Sequence, residues 1–592
     1  MANIPKTAPR YSLADVRSLI AEADLSENQR RDMTSAINRL CEMSRCAPFS
    51  VPAEANAIRA AFRKIRPAAF GIGKKTFSNL RSLLAAALIL VGVLDKMGRG
   101  VAQHHTSWGP LMRKIAHDKR LSCGLAAFSN WCSMKGISPE QVGDDLVQEF
   151  LSWLESRTLC PKPRDVVRRL PNLWNEAKDQ FACWPQTTLT RLSFRPPRRR
   201  LAWHELDERF RHDVDAYLAT RKGSDDAPDN SLELFDERRH PRSRPLADTT
   251  LRQHEEHLRL AASVLVQSGL AVTEITSLAD LILPERFKTV LGHYYKQANG
   301  QPSAFVTCLA QTLIQVAQYH AGATPDEVCE LKELAARLPV IPFDLTEKNK
   351  DLLRQLESTG ARAKLLFLPG RLMHDVAEKI KTGRLPFVAA QVAIAIDIAL
   401  VAPLRPHNLS QLNWDGNFSE PDGEKGRLIL RVPQQKTKTK KGDLVFEIPE
   451  DVARRLRWYR RHILSRLKGD PNGDLFVTEK GRSKSQETLS QQITEAISEH
   501  VGIHMTPHQF RHFAAVLYLE DHPEDFETVR ALLGHAFSKT TRVYAGSSSR
   551  RASRAYGNFL LKQRDELKLK RTNKKRSVKR SDGREGLDHA SP

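Results

Sequence analysis

Over most of its 592 residues this chain places apolar side chains at three- and four-residue spacing, the period that gathers them on one face of an α-helix. A chain patterned this way folds into amphipathic helices packed on one another. Two short segments instead alternate apolar and polar residues, Arg427–Val432 (RLILRV) and Leu444–Ile448 (LVFEI), as the two strands of a hairpin do. The longest apolar run, Leu83–Leu94 (LLAAALILVGVL), is too short to cross a bilayer as a helix and reads as a buried core helix. The fold class expected is therefore mainly α with a small antiparallel β-sheet, an α+β arrangement.

Pro-rich and charged breaks divide the pattern into blocks. The first, about 1–185, holds helices including Asn79–Leu94, Leu125–Met134 and Asp145–Leu154. An irregular stretch over 186–245 follows, with the basic segment Arg195–Arg200 (RPPRRR) and a polar loop over Gly223–Pro245. A second helical unit, 205–340, is built on Thr250–Val266, Pro284–Tyr295 and Ala304–Tyr319. From about 344 to 560, helices at 346–357 and 386–402 lead into the hairpin and then into further helices. The remainder, 561–592, reads as a basic disordered tail.

The chain carries 92 Lys and Arg against 69 acidic residues, a net charge of +23. Thirteen of the basic residues and only two acidic ones lie between Arg550 and Arg580, so that this segment holds +11 of the excess. A surplus placed so unevenly suits a polyanionic partner, nucleic acid above all. Eight cysteines in so long a chain are too few for a disulfide scaffold, and the first residues lack the apolar core of a signal peptide. A cytoplasmic protein with reduced thiols and no membrane partner is the expectation.

The most informative stretch is Thr506–Gly546, TPHQFRHFAAVLYLEDHPEDFETVRALLGHAFSKTTRVYAG. Thr506 suits an N-cap and Pro507 the first helical position, which sets His508 and Arg511 on one face near a helix N-terminus. A cation, an imidazole and a helix N-terminus together favour an anion. A second helix beginning after Pro523 should stop at Gly534, with His535 just outside it, and a third, starting near Ser538, should carry Tyr544. Singly, each residue has an ordinary explanation as a packing or surface group. In combination, His-x-x-Arg followed by Leu-Gly-His and then a Tyr nine residues later resembles the tyrosine recombinase (phage integrase) family.

That resemblance implies roles for named residues. His508 and Arg511 match the family's His-x-x-Arg box, His535 its later His/Trp position, and Tyr544 its nucleophile. The apolar segment Ala389–Leu404 followed by Arg405-Pro-His-Asn-Leu-Ser-Gln-Leu-Asn-Trp-Asp resembles the box of the family's first arginine, with Asn408 where Glu is usual. The catalytic lysine belongs in the hairpin, where Gln434–Lys441 (QQKTKTKK) offers Lys436 first and Lys438 second. Lys438, Lys440 and Lys441 are otherwise expected to contact the DNA backbone. The family chemistry uses no metal and no other cofactor. Its partners are double-stranded DNA and further copies of the recombinase, or related recombinases, in a synaptic tetramer. The resemblance also implies a tyrosine recombinase catalytic fold over 344–560 and a helical core-binding-like domain over 205–340. Residues 1–185 lie outside the family's minimal layout and are open to an extra DNA-binding or partner-binding role. Two competing readings are a type IB topoisomerase, which uses the same residue set, and a non-catalytic DNA-binding protein of this fold.

Overall fold

The computed structural model describes residues 11–96, 98–194, 200–222, 245–423, 426–434, 442–535, 541, 543–544, 557 and 560–562. These are mostly helical, with one three-stranded antiparallel sheet. Among the described residues no helix is long and apolar enough to cross a membrane. The chain divides into two compact units, one of residues 192–343 and the other of residues 1–191 together with 344–592.

In the larger unit the helices Leu13–Glu22, Glu27–Ser44, Ala55–Lys64 and Lys74–Leu90 enclose one apolar core. The last of these stops earlier than the apolar run predicts, because the chain turns at Gly92, whose φ of 73° lies in the left-handed region. Val91–Leu94 therefore leaves the helix while Leu94 stays buried, which shows apolar continuity marking burial rather than helix length. A neighbouring core is aromatic. Trp108 packs edge-on against Phe128 and Trp174 at centroid distances of 6.5 and 6.2 Å. The buried Arg59 joins the two, donating from Nη1 to the carbonyls of Leu154 and Thr158 at 3.1 and 2.6 Å. It thereby caps the C-terminal end of helix Asp144–Arg157 with a cation, where the helix dipole favours one.

The C-terminal part of this unit is built on α1 (Glu347–Leu356) and α2 (Phe387–Val401). Every residue of α2 from Ala390 to Ala399 is buried, so this helix is the axis of the core. Around it lie the sheet strands β1 (Phe418–Ser419), β2 (Leu428–Val432) and β3 (Leu444–Ile448), in that order. The hairpin pairs in the register Leu428↔Ile448, Leu430↔Phe446 and Val432↔Leu444. Leu428, Leu430 and Val432 point inward and Arg431 outward, as the alternation predicts. Then come α3 (Glu450–His462), α4 (Gln486–His500), α5 (Gln509–Asp521) and α6 (Phe526–Leu533).

The two sequence-distant parts of this unit meet at Gly502, just past α4. Its φ is 88°, and a Cβ there would lie 2.3 Å from the backbone nitrogen of Ala69. Beside it Lys364 donates to the Ala68 carbonyl at 3.1 Å, and Lys74 pairs with Glu499 at 2.6 Å.

Residues 192–343 form a separate helical core around Asp248–Gln267 and Ala304–Tyr319. It contains a polar seam. Tyr217 Oη meets His254 Nδ1 at 2.9 Å and His257 Nδ1 meets Thr312 Oγ1 at 2.8 Å. Burial, reinforced by His257 and Arg221, pushes His254 down to about 4.

Two measurements follow from these packing arrangements. Asp397, the one charge in α2, is paired with Arg455 through bonds of 2.5 and 3.1 Å. Arg455 keeps Asp451 as a partner at 2.8 Å, so Asp397→Ala should cost about 1–3 kcal/mol for the lost buried charge-assisted bonds, read as a lower denaturant midpoint. Because His254 is held neutral when folded, the unfolded chain binds the extra proton between about pH 6.5 and 4. The 192–343 unit should therefore lose stability as pH falls through that window, and His254→Gln should flatten the loss in a series of thermal melts.

Candidate active site

Four segments of the larger unit bring the sequence-predicted residues together. The first is the turn after α2. Arg405 caps the short helix Pro406–Ser410, with Pro406 at its first position. Its Nη1 is buried and has no hydrogen-bond partner among the described residues, and the same holds for Nδ2 of Asn408. Burial lowers the Arg405 pKa, but a guanidinium starts so high that it stays charged.

The second segment is the start of α5. The helix begins at Gln509 with His508 at its cap, two residues later than the Thr-Pro pair predicts. The reason is local. The Thr506 hydroxyl does not accept a helix N–H; it and the Thr506 backbone N–H donate to Gln509 Oε1 at 3.1 and 2.9 Å. Tight i→i+3 bonds from Gln509, Phe510 and Arg511 carry the chain through this entry. His508 thus stands one turn before Arg511, with one edge of its ring reaching solvent and the rest packed against the site.

Arg511 is only 3% exposed. It donates from Nη1 to the carbonyl of Pro403 at 2.7 Å and from Nη2 to that of Leu533. It therefore ties the turn before Arg405 to the end of α6. Burial, then the nearby charge of Arg405, lowers its pKa to about 10.

The third segment is the end of α6. Gly534 closes that helix at φ 56°, and a Cβ there would fall 2.6 Å from a methyl of Leu444. Glycine is required on both counts. His535 follows, with Nδ1 3.1 Å from the hydroxyl of Thr541. Burial first, then Arg511, Arg405 and His512, depress its pKa to about 4. His508 is likewise lowered, by desolvation and then by Arg511 and Arg405.

The fourth segment carries Tyr544, which is 3% exposed and packs with Ala515, Leu519, Val529 and Leu533. Its hydroxyl lies 2.9 Å from Nδ1 of His512. Burial raises the phenol to about 12, with Arg511 opposing. His512, next to Arg511, was not singled out by sequence reasoning, although a His directly after the box arginine was there to be read. Its ring stands 5.3 Å from that of His508 and 5.7 Å from that of Tyr544. Burial, His508 and Arg511 push it down to about 4.

Lys436, Lys438, Lys440 and Lys441 lie outside the described residues, as do Ser538 and Gly546. What the described residues assemble is two guanidinium groups, three imidazoles with depressed pKa values and a phenol. Around neutral pH such a set presents fixed positive charge and neutral proton-transfer groups, which suits an anion beside the phenol.

Residues 372–551 match the model of the phage integrase family. Tyrosine recombinase XerC of Pseudomonas fluorescens is 36% identical over 81 residues, covering 14% of this chain and 27% of that one. XerC of Chlamydia pneumoniae is 26% identical over 214 residues, covering 33% and 67%. The chain spans only 27% and 38% of the length of two XerC relatives, from Pseudomonas fluorescens and Stutzerimonas stutzeri. Among solved structures, XerH recombinase bound to its difH substrate aligns at 16% identity with a TM-score of 0.29, over 57% of this chain and 94% of that one. The Tn1549 transposon integrase bound to transposon right-end DNA aligns at 14% identity with a TM-score of 0.33, over 53% and 95%. The matched stretch, residues 372–551, takes in the His-x-x-Arg box, the Leu-Gly-His turn and Tyr544, and is similar to the phage integrase family domain.

Proposed function

We propose that this protein is a site-specific DNA recombinase or integrase that cuts and rejoins double-stranded DNA through a 3′-phosphotyrosine at Tyr544, without metal or ATP. One observation carries the reading. The Tyr544 hydroxyl hydrogen-bonds a side chain of the same helix that bears Arg511, and Arg405, near enough to act on Arg511, His508 and His535, has a buried N–H without a partner among the described residues. A phosphodiester would supply the missing acceptor and lie beside the nucleophile.

In this scheme Tyr544 Oη attacks phosphorus and the bond to the 5′-oxygen breaks. A second 5′-hydroxyl later reverses the step, so the bond energy is conserved. Arg405 and Arg511 meet the charge that builds on the non-bridging oxygens. His508 accepts the phenol proton on cleavage and returns it on religation. Lys436 protonates the leaving 5′-oxygen, with Lys438 as the alternative donor, and His535 hydrogen-bonds the phosphate. Lys440 and Lys441 contact the DNA backbone.

Residues 205–340 serve as a core-binding-like module in this reading. Residues 1–191, with 28 Lys and Arg against 17 acidic residues, add DNA contact. The working assembly is a synaptic tetramer of this chain or of this chain with related recombinases.

The decisive experiment traps the protein on nicked suicide DNA carrying the ends of the host element. Wild type should give a covalent adduct on a denaturing gel. Tyr544→Phe should give none while still shifting DNA on a native gel. A shift without any adduct from wild type would favour a binding protein instead, and ATP-independent relaxation of plasmid lacking any site would favour a topoisomerase.

The two arginines should separate in the same assay. Arg405→Ala should slow cleavage by about 10²–10³-fold with little change in melting temperature. Arg511→Ala should abolish cleavage and also destabilise the fold by about 3 kcal/mol, because two buried carbonyls lose a charged donor. Equal stability losses in the two variants would contradict this division.

A further inference from the structure

His512 belongs to none of the roles above, yet it touches the reacting atom. Its other nitrogen, Nε2, lies 3.1 Å from Nδ2 of Asn349, on α1. Asn349 Oδ1 in turn accepts from Gln509 Nε2 at 3.0 Å. Gln509 Oε1 accepts from the backbone N–H of Thr506 at 2.9 Å. Gln509 is buried at 3% exposure, and Asn349 and Thr506 are half-buried.

The direction of this chain of bonds is set at its far end. A backbone N–H can only donate, so Gln509 must turn its oxygen to Thr506 and its NH₂ group to Asn349. Asn349 must then offer its oxygen to Gln509 and its NH₂ group to His512. His512 Nε2 consequently accepts, and in a neutral imidazole the proton then sits on Nδ1. Nδ1–H is the group facing Tyr544 Oη. Three charged or titratable neighbours act on this ring besides the phenol: His508 and Arg511 from α5, and His535 from the end of α6. Burial first, then His508 and Arg511, disfavours an imidazolium, so the ring stays neutral and its one proton stays where Asn349 directs it.

We propose that His512 is a catalytic hydrogen-bond donor to the Tyr544 oxygen, oriented by the positioning residues Asn349 and Gln509, and not a base for the phenol proton. This rests on the strand-transfer reading above and adds to it. During attack the O–H bond of Tyr544 breaks and its proton leaves to another acceptor, His508 in the scheme above. The Nδ1–H···Oη bond is kept throughout and strengthens while negative charge is on the phenol oxygen. It also points the phenolic proton away from His512.

The test compares His512→Asn, whose side-chain NH₂ can take the place of Nδ1–H, with His512→Leu, of similar size and without a donor. Single-turnover cleavage of suicide DNA by the full chain should fall about 10²-fold in His512→Leu, with the pH midpoint moved upward and DNA binding unchanged. His512→Asn should recover at least about tenfold of that loss. Asn349→Ala, which frees the tautomer, should fall between them.

A second readout does not depend on DNA cleavage. A fluorinated tyrosine placed at position 544 is titrated by fluorine NMR in each background. Its phenol should ionise about one pH unit higher in His512→Leu than in wild type, and close to wild type in His512→Asn. Equal rates, or equal phenol titrations, in the Leu and Asn variants would overturn the donor role. An unchanged wild-type titration pattern with no adduct from any protein would instead remove the recombinase reading and leave the donor intact.

Discussion

A guanidinium with 3% exposure can persist in a protein interior only if its N–H groups find acceptors and nothing nearby competes for the charge. Arg511 meets this demand with main-chain carbonyls rather than carboxylates, those of Pro403 and Leu533. Because the acceptors are backbone, the requirement fixes the path of two other segments. The turn that presents Arg405 and the helix end that presents His535 are both held by the same side chain. A carboxylate partner would have neutralised this cation; main-chain carbonyls leave its field in the site.

That field accounts for the proton chemistry of the neighbours. Arg511 contributes to depressing His508, His512 and His535, and it opposes the rise of the Tyr544 phenol. Desolvation leads in every case. The result is a cluster whose imidazoles are neutral while its guanidiniums are charged, so proton acceptors and anion-binding groups coexist within a few ångströms. The buried N–H groups of Arg405 and Asn408 that have no partner among the described residues belong to the same design, since an orphan donor is costly unless a ligand satisfies it.

Much of this was readable in the chain, and the unread parts have definite causes. Helix Ala304–Tyr319 coincides with its apolar period, and the hairpin strands with their alternation, because burial of one face dictates both. The strand Phe418–Ser419 is too short to show any period. The helices Thr359–Leu366 and Leu368–Lys381 show no clear apolar period, since Phe367 at their junction is 70% exposed and blurs the apolar face. The start of α5 was misplaced because Thr506 uses its hydroxyl as a donor to a side chain, which a capping rule cannot foresee. Arg405, His508, Arg511, His535 and Tyr544 were named from motif and spacing. His512 and Asn349 were not, because their link joins helices 163 residues apart, and no local pattern records such a pairing.

The division of the chain also bears on how the molecule is made. Residues 1–191 and 344–592 share one compact unit, and 192–343 make another. The seat for Gly502 at Ala69 therefore leaves the ribosome far ahead of the segment that fills it. At synthesis rates of about 5–20 residues per second, the 433 positions from Ala69 to Gly502 take roughly 20–90 s to appear. During that interval the N-terminal helices depend on the two cores they carry themselves, and the edge around Ala68 and Ala69 is without its partner. The aromatic density near Trp108 and Trp174 and the cap that Arg59 places between the cores thus acquire a temporal meaning. They give the first third of the chain apolar cores of its own before its other half appears.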